Sequence, residues 1–278
     1  MARIPKCCME GCNNVGVYPV AVYRRGQRNA YLCEMHRNRD ASYYDENNTV
    51  TGVAKKNGIT VSVEFETGRT TDKGRIELVA SGYMPTHDST VTHEYKSPIM
   101  QGLNGLSKHC VTIERLITSG DIALDARCGT HFNVGIVGKI NADSIGKIAR
   151  FYHSIFLPLS QYLEEHPEEC EAVFGRPLNG WAMPISQRTD ARSHTNFVNL
   201  EHNTHIEFRA CKFVSAKQYM TAARLCVKMV ECIVKNFVEH FDDLGTGRTA
   251  EQTAHRKHKA QVTAKKLVGL FKKAYASL

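Results

Sequence analysis

The chain has 278 residues, 42% of them hydrophobic, and a formal net charge of +8 from 36 Lys and Arg against 28 Asp and Glu. That length and apolar content exclude a disordered chain and predict one main domain with appendages. No run of eighteen apolar residues occurs, and Met1 to Lys6 lead into cysteines and not into an apolar signal core, so no membrane span or leader is predicted and a cytoplasmic protein is expected. The charge is uneven: residues 1–40 carry seven Lys and Arg against three Asp and Glu, and residues 248–278 carry eight against one, which leaves −3 for residues 41–247. Attraction to a polyanion therefore belongs to the two ends.

Of ten cysteines, four lie at the N-terminus and six are scattered singly through apolar or helical stretches, the pattern of reduced buried thiols and not of a disulfide framework. The N-terminal set reads Cys7-Cys8-Met9-Glu10-Gly11-Cys12, a spacer able to form a hairpin around Arg25-Gly26, and then Cys33-Glu34-Met35-His36. Three thiolates and an imidazole suit tetrahedral zinc, which would give so short a module its means of folding; free thiols or a redox pair are the competing reading. Either Cys7 or Cys8 can complete the set. The segment resembles small zinc knuckles of the form C-x4-C followed by L-C-x2-H, and that resemblance implies Cys7, Cys12, Cys33 and His36 as a closed structural site.

Residues 1–40 are thus read as a zinc-knuckle module, and the polar, aperiodic residues 41–58 as a linker. The next stretch, Thr60 to Thr67, alternates so that Val61, Val63 and Phe65 point one way as a strand, and Ser62, Glu64 and Glu66 the other. Gly68 to Gly74 reads as a turn region, Ile76 to Tyr83 as a second strand or edge segment, and Pro85 to Ser89 as a turn. The same alternation recurs at Thr92 to Lys96, with Glu94 and Lys96 on one side and a stop at Ser97-Pro98. It recurs again at Thr130 to Val134, where His131 and Asn133 oppose Phe132, and at His205 to Arg209, where His205, Glu207 and Arg209 oppose Ile206 and Phe208.

Helical spacing predicts a helix from Ser107 to about Thr118 stopped by Gly120, and another opened by Asp143 with Ile145, Ile148, Tyr152, Ile155, Phe156 and Leu159 inward, bent at Pro158. A third is capped by Ser215 with Tyr219, Ala223, Cys226, Val230, Val234 and Phe237 inward. These helices should cover the apolar face of the sheet and leave the ionisable face open. After residue 241 a basic tail, residues 242–278, contains a predicted helix from Glu251 to Tyr275 with a limited apolar set at Val262, Leu267, Leu270 and Phe271. That helix either packs on the core or another subunit, or binds a polyanion or protein partner.

Taken in order, Val63-Glu64-Phe65-Glu66, Glu94-Tyr95-Lys96-Ser97-Pro98, Cys128 to Gly135, Asn199, and His205-Ile206-Glu207-Phe208-Arg209 resemble the successive signatures of the putative amidoligases, a family similar to glutamate–cysteine ligases and more distantly to glutamine synthetases. The resemblance covers about residues 59–241. It implies an α+β fold on a curved antiparallel sheet covered by helices on one face, and ATP-dependent coupling of a carboxylate to an amine through an acyl phosphate. One position departs from the family's His-x-His: Asn133 stands where a second imidazole is common, and an amide cannot carry a proton as an imidazole does.

The residue chemistry agrees with that expectation. Activation of a carboxylate by ATP needs hard cations across the phosphates, and Glu64, Glu66, Glu94 and Glu207 offer carboxylates for Mg²⁺. Arg209 is the candidate fixed positive charge for the transferring phosphoryl group, and His131 the candidate contact to phosphate or metal. Lys96, Asn133, Arg192 and Asn199 are candidates to bind nucleotide or substrate. Gly138-Lys139 and Gly146-Lys147 lack the following Ser or Thr of a P-loop, so ATP would be held another way. The alternative is a catalytically degenerate ligase fold with a zinc module, acting as a nucleic-acid-binding or assembly factor.

Overall fold

The computed structural model of the chain describes residues 18–20, 30–32, 59–86, 91–97, 99–101, 103–136, 153–178, 182–185, 196–200, 205–237 and 250–278. In chain order the elements are β1 (Tyr18–Val20), β2 (Ala30–Leu32), β3 (Ile59–Thr67), β4 (Arg69–Thr70), α1 (Asp72–Ala80), β5 (Met84–Thr86), β6 (His93–Lys96), β7 (Met100–Gln101), α2 (Asn104–Thr118), β8 (Ile122–Ala123) and β9 (Thr130–Ile136). A 3₁₀ turn at His153–Ile155 precedes α3 (Leu157–Glu165), α4 (Pro167–Phe174), β10 (Val198–Asn199), β11 (His205–Cys211), α5 (Ala216–Phe237) and α6 (Ala250–Tyr275).

The architecture is α+β. Seven of the strands form one antiparallel sheet in the order β10-β11-β9-β3-β6-β5, with β7 continuing beside β3 beyond the end of β6. The gap between β6 and β7 is bridged at Ser97, whose N–H donates to the Val63 carbonyl at 2.7 Å while its hydroxyl accepts from the Val63 N–H at 2.8 Å. A side chain thus completes the ladder next to Pro98, which has no N–H to give.

The period-two pattern sends Val61, Val63, Phe65, Phe132, Val134, Ile206 and Phe208 to one face, where all are buried. At about 1.5–3 kcal/mol for each fully buried apolar side chain, these seven contribute more than ~10 kcal/mol gross toward holding helices against that face. The partner is α5: Tyr219 stacks edge-on against Phe132 at 5.0 Å, beside Phe213, which meets Phe65 at 6.5 Å. Helix α6 is part of the same core, since Leu267 and Phe271 are fully buried and Phe271 lies 5.8 Å from Phe174 and 5.9 Å from Tyr162.

Several sequence expectations hold in detail. Ser215 caps α5 by accepting from the Gln218 N–H at 3.2 Å, and Gly120 follows α2 in the left-handed region at φ 75°. The six cysteines outside the N-terminal set are unpaired, five of them buried. Three expectations fail. Ile76 to Tyr83 is no strand, because Thr71 accepts from the Gly74 N–H at 3.1 Å and caps a helix that runs through Ala80. Of the turn expected over Pro85 to Ser89, Pro85 and Thr86 instead pair with β6 in an edge strand, a place that tolerates Pro85, and residues 87–89 lie outside the described residues. Pro158 bends nothing: it sits in the first turn of α3, where its missing N–H has no helical partner to lose. The start of that predicted helix at Asp143 lies outside the described residues.

At the N-terminus, β1 and β2 pair antiparallel with Tyr18 opposite Leu32 and Val20 opposite Ala30, the pairing that the expected spacer hairpin requires, while its turn at Arg25-Gly26 lies outside the described residues. Cys7, Cys8, Cys12, Cys33 and His36 lie outside the described residues.

Candidate active site

Register converts four separate strand patterns into one cluster. Across the sheet, Glu64 stands opposite both His131 and Lys96, Glu66 opposite Glu94, Asn133 opposite both Ser62 and Glu207, and Glu207 opposite Asn199. Directly paired residues share a face, so all of them project from the side away from α5.

The centre is His131. Its Nδ1 lies 3.1 Å from Glu207 Oε1 and 3.5 Å from Glu64 Oε2, within ion-pair range of both but directed as a hydrogen bond to neither, and its Nε2 lies 3.6 Å from Glu66 Oε1. Each carboxylate has further partners. Lys96 Nζ is 3.0 Å from Glu64 and 3.6 Å from Glu94, and Asn133 donates its amide to Glu64 at 3.1 Å. Arg209 Nη1 donates to Glu207 at 2.8 Å and Asn199 to the other Glu207 oxygen at 2.7 Å. Glu66 accepts from the Gly129 N–H at 2.6 Å, and Glu94 from the Thr86 hydroxyl at 2.6 Å.

The face is not open as expected. His131 and Glu207 are each 3% exposed, and Glu66, Glu94, Asn133 and Asn199 are also buried; the accessible parts are the Glu64 and Arg209 side chains in part and Lys96. Opposite charges packed this closely shield one another from water. Burial by itself would push the imidazole of His131 down, but the adjacent Glu207 and Glu64 outweigh both burial and Arg209 and raise its pKa to about 9. Burial likewise pushes Glu64 up, but His131 and Lys96 outweigh it and bring its pKa down to about 2. The Lys96 ammonium, disfavoured by burial, is held above its ordinary value by Glu64 and Glu94.

Sequence reading missed one member of the cluster, Arg176. Strand β11 carries a bulge between Phe208 and Cys211, which takes the carbonyls of Arg209 and Ala210 out of register with β9. Arg176 donates to those two carbonyls from Nη2 and Nε, at 2.6 and 3.4 Å, while its Nη1 is buried with no hydrogen-bond partner. Gly175, left-handed at φ 84°, ends α4 and lies against the Lys212 carbonyl, where a Cβ would approach to 2.2 Å. That turn delivers Arg176 to the bulge. Gly129 serves a similar end: a Cβ there would meet both Arg176 Nη2 and Glu66 Oε2 at 3.1 Å. Arg176 follows no motif and precedes the bulge by more than thirty residues, so no local pattern marks it. Arg192 lies outside the described residues.

Glu64, His131 and Glu207 each offer a ligand atom, all within 4.8 Å of one another. Two carboxylates and one imidazole are a donor set that could hold a metal ion. No protein-family model matches the chain, and no curated protein is significantly similar to it. No helix among the described residues is long and apolar enough to cross a membrane.

Proposed function

We propose that residues 59–241 form an ATP- and Mg²⁺-dependent carboxylate–amine ligase of the amidoligase kind, built on a sheet of the glutamine synthetase and glutamate–cysteine ligase type. The observation that carries this reading is the convergence of Glu64, His131 and Glu207 at ligand distance, from strands up to 143 positions apart in the chain, with Arg209 and Lys96 beside them. Glu64, His131 and Glu207 would hold the cation, with Glu66 and Glu94 next to them. Held there, Mg²⁺ would supply charge neutralisation for a phosphoryl group, and ATP would supply the group that activates the carboxylate. The protein's own groups do the positioning: Arg209, fixed by Glu207 and by the bulge, presents a permanent positive charge to an anion, and Lys96 presents a second at the accessible rim. Asn133 and Asn199 fix the carboxylates they donate to, which is a narrower role than direct substrate binding. In the N-terminal module Cys7, Cys12, Cys33 and His36 would hold a structural zinc, a reading supported by the pairing of β1 with β2 in the spacer between Cys12 and Cys33.

A second reading has two observations in its favour, the amide at Asn133 and the burial of most of the cluster. In it the sheet is a degenerate ligase fold, and the protein is a zinc-containing nucleic-acid-binding or assembly factor. Phosphate release from ATP, measured with a panel of acids and amines in the presence of Mg²⁺ or Mn²⁺, separates the two. The ligase reading expects acid- and amine-dependent release that Glu64→Gln abolishes. Release that survives Glu64→Gln overturns the site assignment. Absence of release despite Mn²⁺ binding detected by electron paramagnetic resonance favours the degenerate reading.

A further inference from the structure

A second concentration of charge lies on the helical side of the protein, and it is built unlike the first. Helix α5 has four exposed positions, Lys217, Arg224, Lys228 and Lys235, and every one is a cation. Their spacing of seven, four and seven residues places them on one stripe, whose one acidic member is the half-buried Glu231. Helix α6 runs antiparallel beside that stripe. Asn236 of α5 donates to the Thr263 hydroxyl of α6 at 3.0 Å near one end, and Lys217 donates to the Leu278 carbonyl at the other.

Between the two helices is a cavity of about 240 Å³, lined by Arg224 and Lys228 from α5 and Lys273 from α6, together with Thr221, Leu225, Leu270, Ala274 and Ser277. No ion pair among the described residues engages any of these three cations. Seven residues away along each helix, Lys235 on α5 and Lys266 on α6 are also exposed.

We propose that the seam between α5 and α6 is a docking surface for the phosphodiester backbone of nucleic acid, with one phosphate seated against Arg224, Lys228 and Lys273. The assignment stands apart from the ligase reading, because it uses none of the sheet residues. A protein partner would need an apolar centre to its interface. Among the described residues the large exposed hydrophobics are Met84, Ile99, Val111, Val214, Tyr275 and Leu278, and none of them lines the cavity. Three cations around a small lining of Leu225, Leu270 and Ala274, with no carboxylate side chain among the lining residues, suit a polyanion held through its charge, without base selection.

The test is fluorescence anisotropy of the full chain with a labelled 20-nucleotide oligothymidine, titrated at several salt concentrations. The seam variant Lys228→Glu/Lys273→Glu is compared with Lys257→Glu/Lys265→Glu, which makes the same charge change at exposed positions on the opposite flank of α6. Binding by the wild type should weaken steeply with salt. The seam variant should lose at least about tenfold in affinity, and its log–log salt slope should fall by about 1.4, two contacts at ~0.7 each; the flank variant should lose less than about threefold. Equal losses in the two variants, no loss in the seam variant, or no binding by the wild type at 50 mM salt would each overturn the proposal. Competition by polyglutamate as effective as that by unlabelled oligonucleotide would overturn the assignment to nucleic acid. Should the seam variant fail to fold by circular dichroism, Lys228→Gln/Lys273→Gln is read in its place, with the slope expected to fall by the same amount.

Discussion

The two charged regions of this protein obey opposite rules. On the sheet, Glu64, Glu66, Glu94, His131, Glu207 and Arg209 are largely out of water and each is held by partners within 3.6 Å. On α5 and α6, Arg224, Lys228 and Lys273 are exposed and face a cavity without carboxylates. The first arrangement stakes stability on pairing, since a buried charge without a partner costs several kcal/mol. The second stakes almost none, because an exposed ammonium is solvated whether or not a ligand is present. Altering charge in the first region should therefore disturb the fold as well as any activity, while altering it in the second should disturb binding alone.

The largest expected effect is that of His131→Ala. It leaves Glu64, Glu66 and Glu207 facing one another with their central cation gone, and urea denaturation at pH 7 should show a loss of about 3–5 kcal/mol. An unchanged midpoint would mean that the cluster is not a coupled network. Next is the pH dependence of the metal-free protein. His131 has a folded pKa of about 9 against an ordinary 6.5, so its stabilising contribution is fully present below pH 6.5 and is lost as pH rises through 9. Glu64, at about 2 against 4.5, contributes above pH 4.5 and loses that contribution as pH falls through 2. The two shifts share one contact and do not add. The alkaline loss is on the order of 3 kcal/mol, and Mn²⁺ or Mg²⁺ should abolish it while releasing a proton, measurable by titration in weak buffer at pH 7.5. Uptake of the cation without proton release would place it elsewhere than at His131.

Arg176→Ala comes third. It strands the carbonyls of Arg209 and Ala210 in the bulge at a cost of about 1–3 kcal/mol, and it should shift the position of Arg209. Arg176→Lys should recover part of the stability, since one ammonium can reach only some of what the guanidinium fork reaches. The smallest effect is that of Lys228→Glu/Lys273→Glu on stability, within about 0.5 kcal/mol by thermal melting, at the same time as its loss of oligonucleotide affinity. A large destabilisation there would erase the contrast between the two regions.

Which side chains share a face was legible from the chain, because alternation is a local property: Val61, Val63 and Phe65 against Glu64 and Glu66, or Phe132 against His131 and Asn133, follow from period two alone. Helix α5 was legible through its Ser215 cap and inward stripe, and α6 through its proline-free length. Helix α1 was not, since its apolar residues have no strong periodicity and one hydrogen bond from Gly74 to Thr71 decides its start. Thr86 was hidden by Pro85, which resembles a turn residue until an adjacent edge strand makes use of it.

By itself, the order of residues determined the alternating faces, the scatter of single cysteines in apolar stretches and the surplus of positive charge toward the C-terminus. Only the tertiary structure decided that Glu64 lies opposite His131 and Glu207 next to it, that the β11 bulge leaves two carbonyls for Arg176, and that Lys273 crosses to meet Arg224 and Lys228. The reason is physical. The direction of a side chain is set by its own backbone within a few residues, whereas strand register and helix pairing are set by burial of surfaces contributed by distant segments, and no short window of sequence contains both partners.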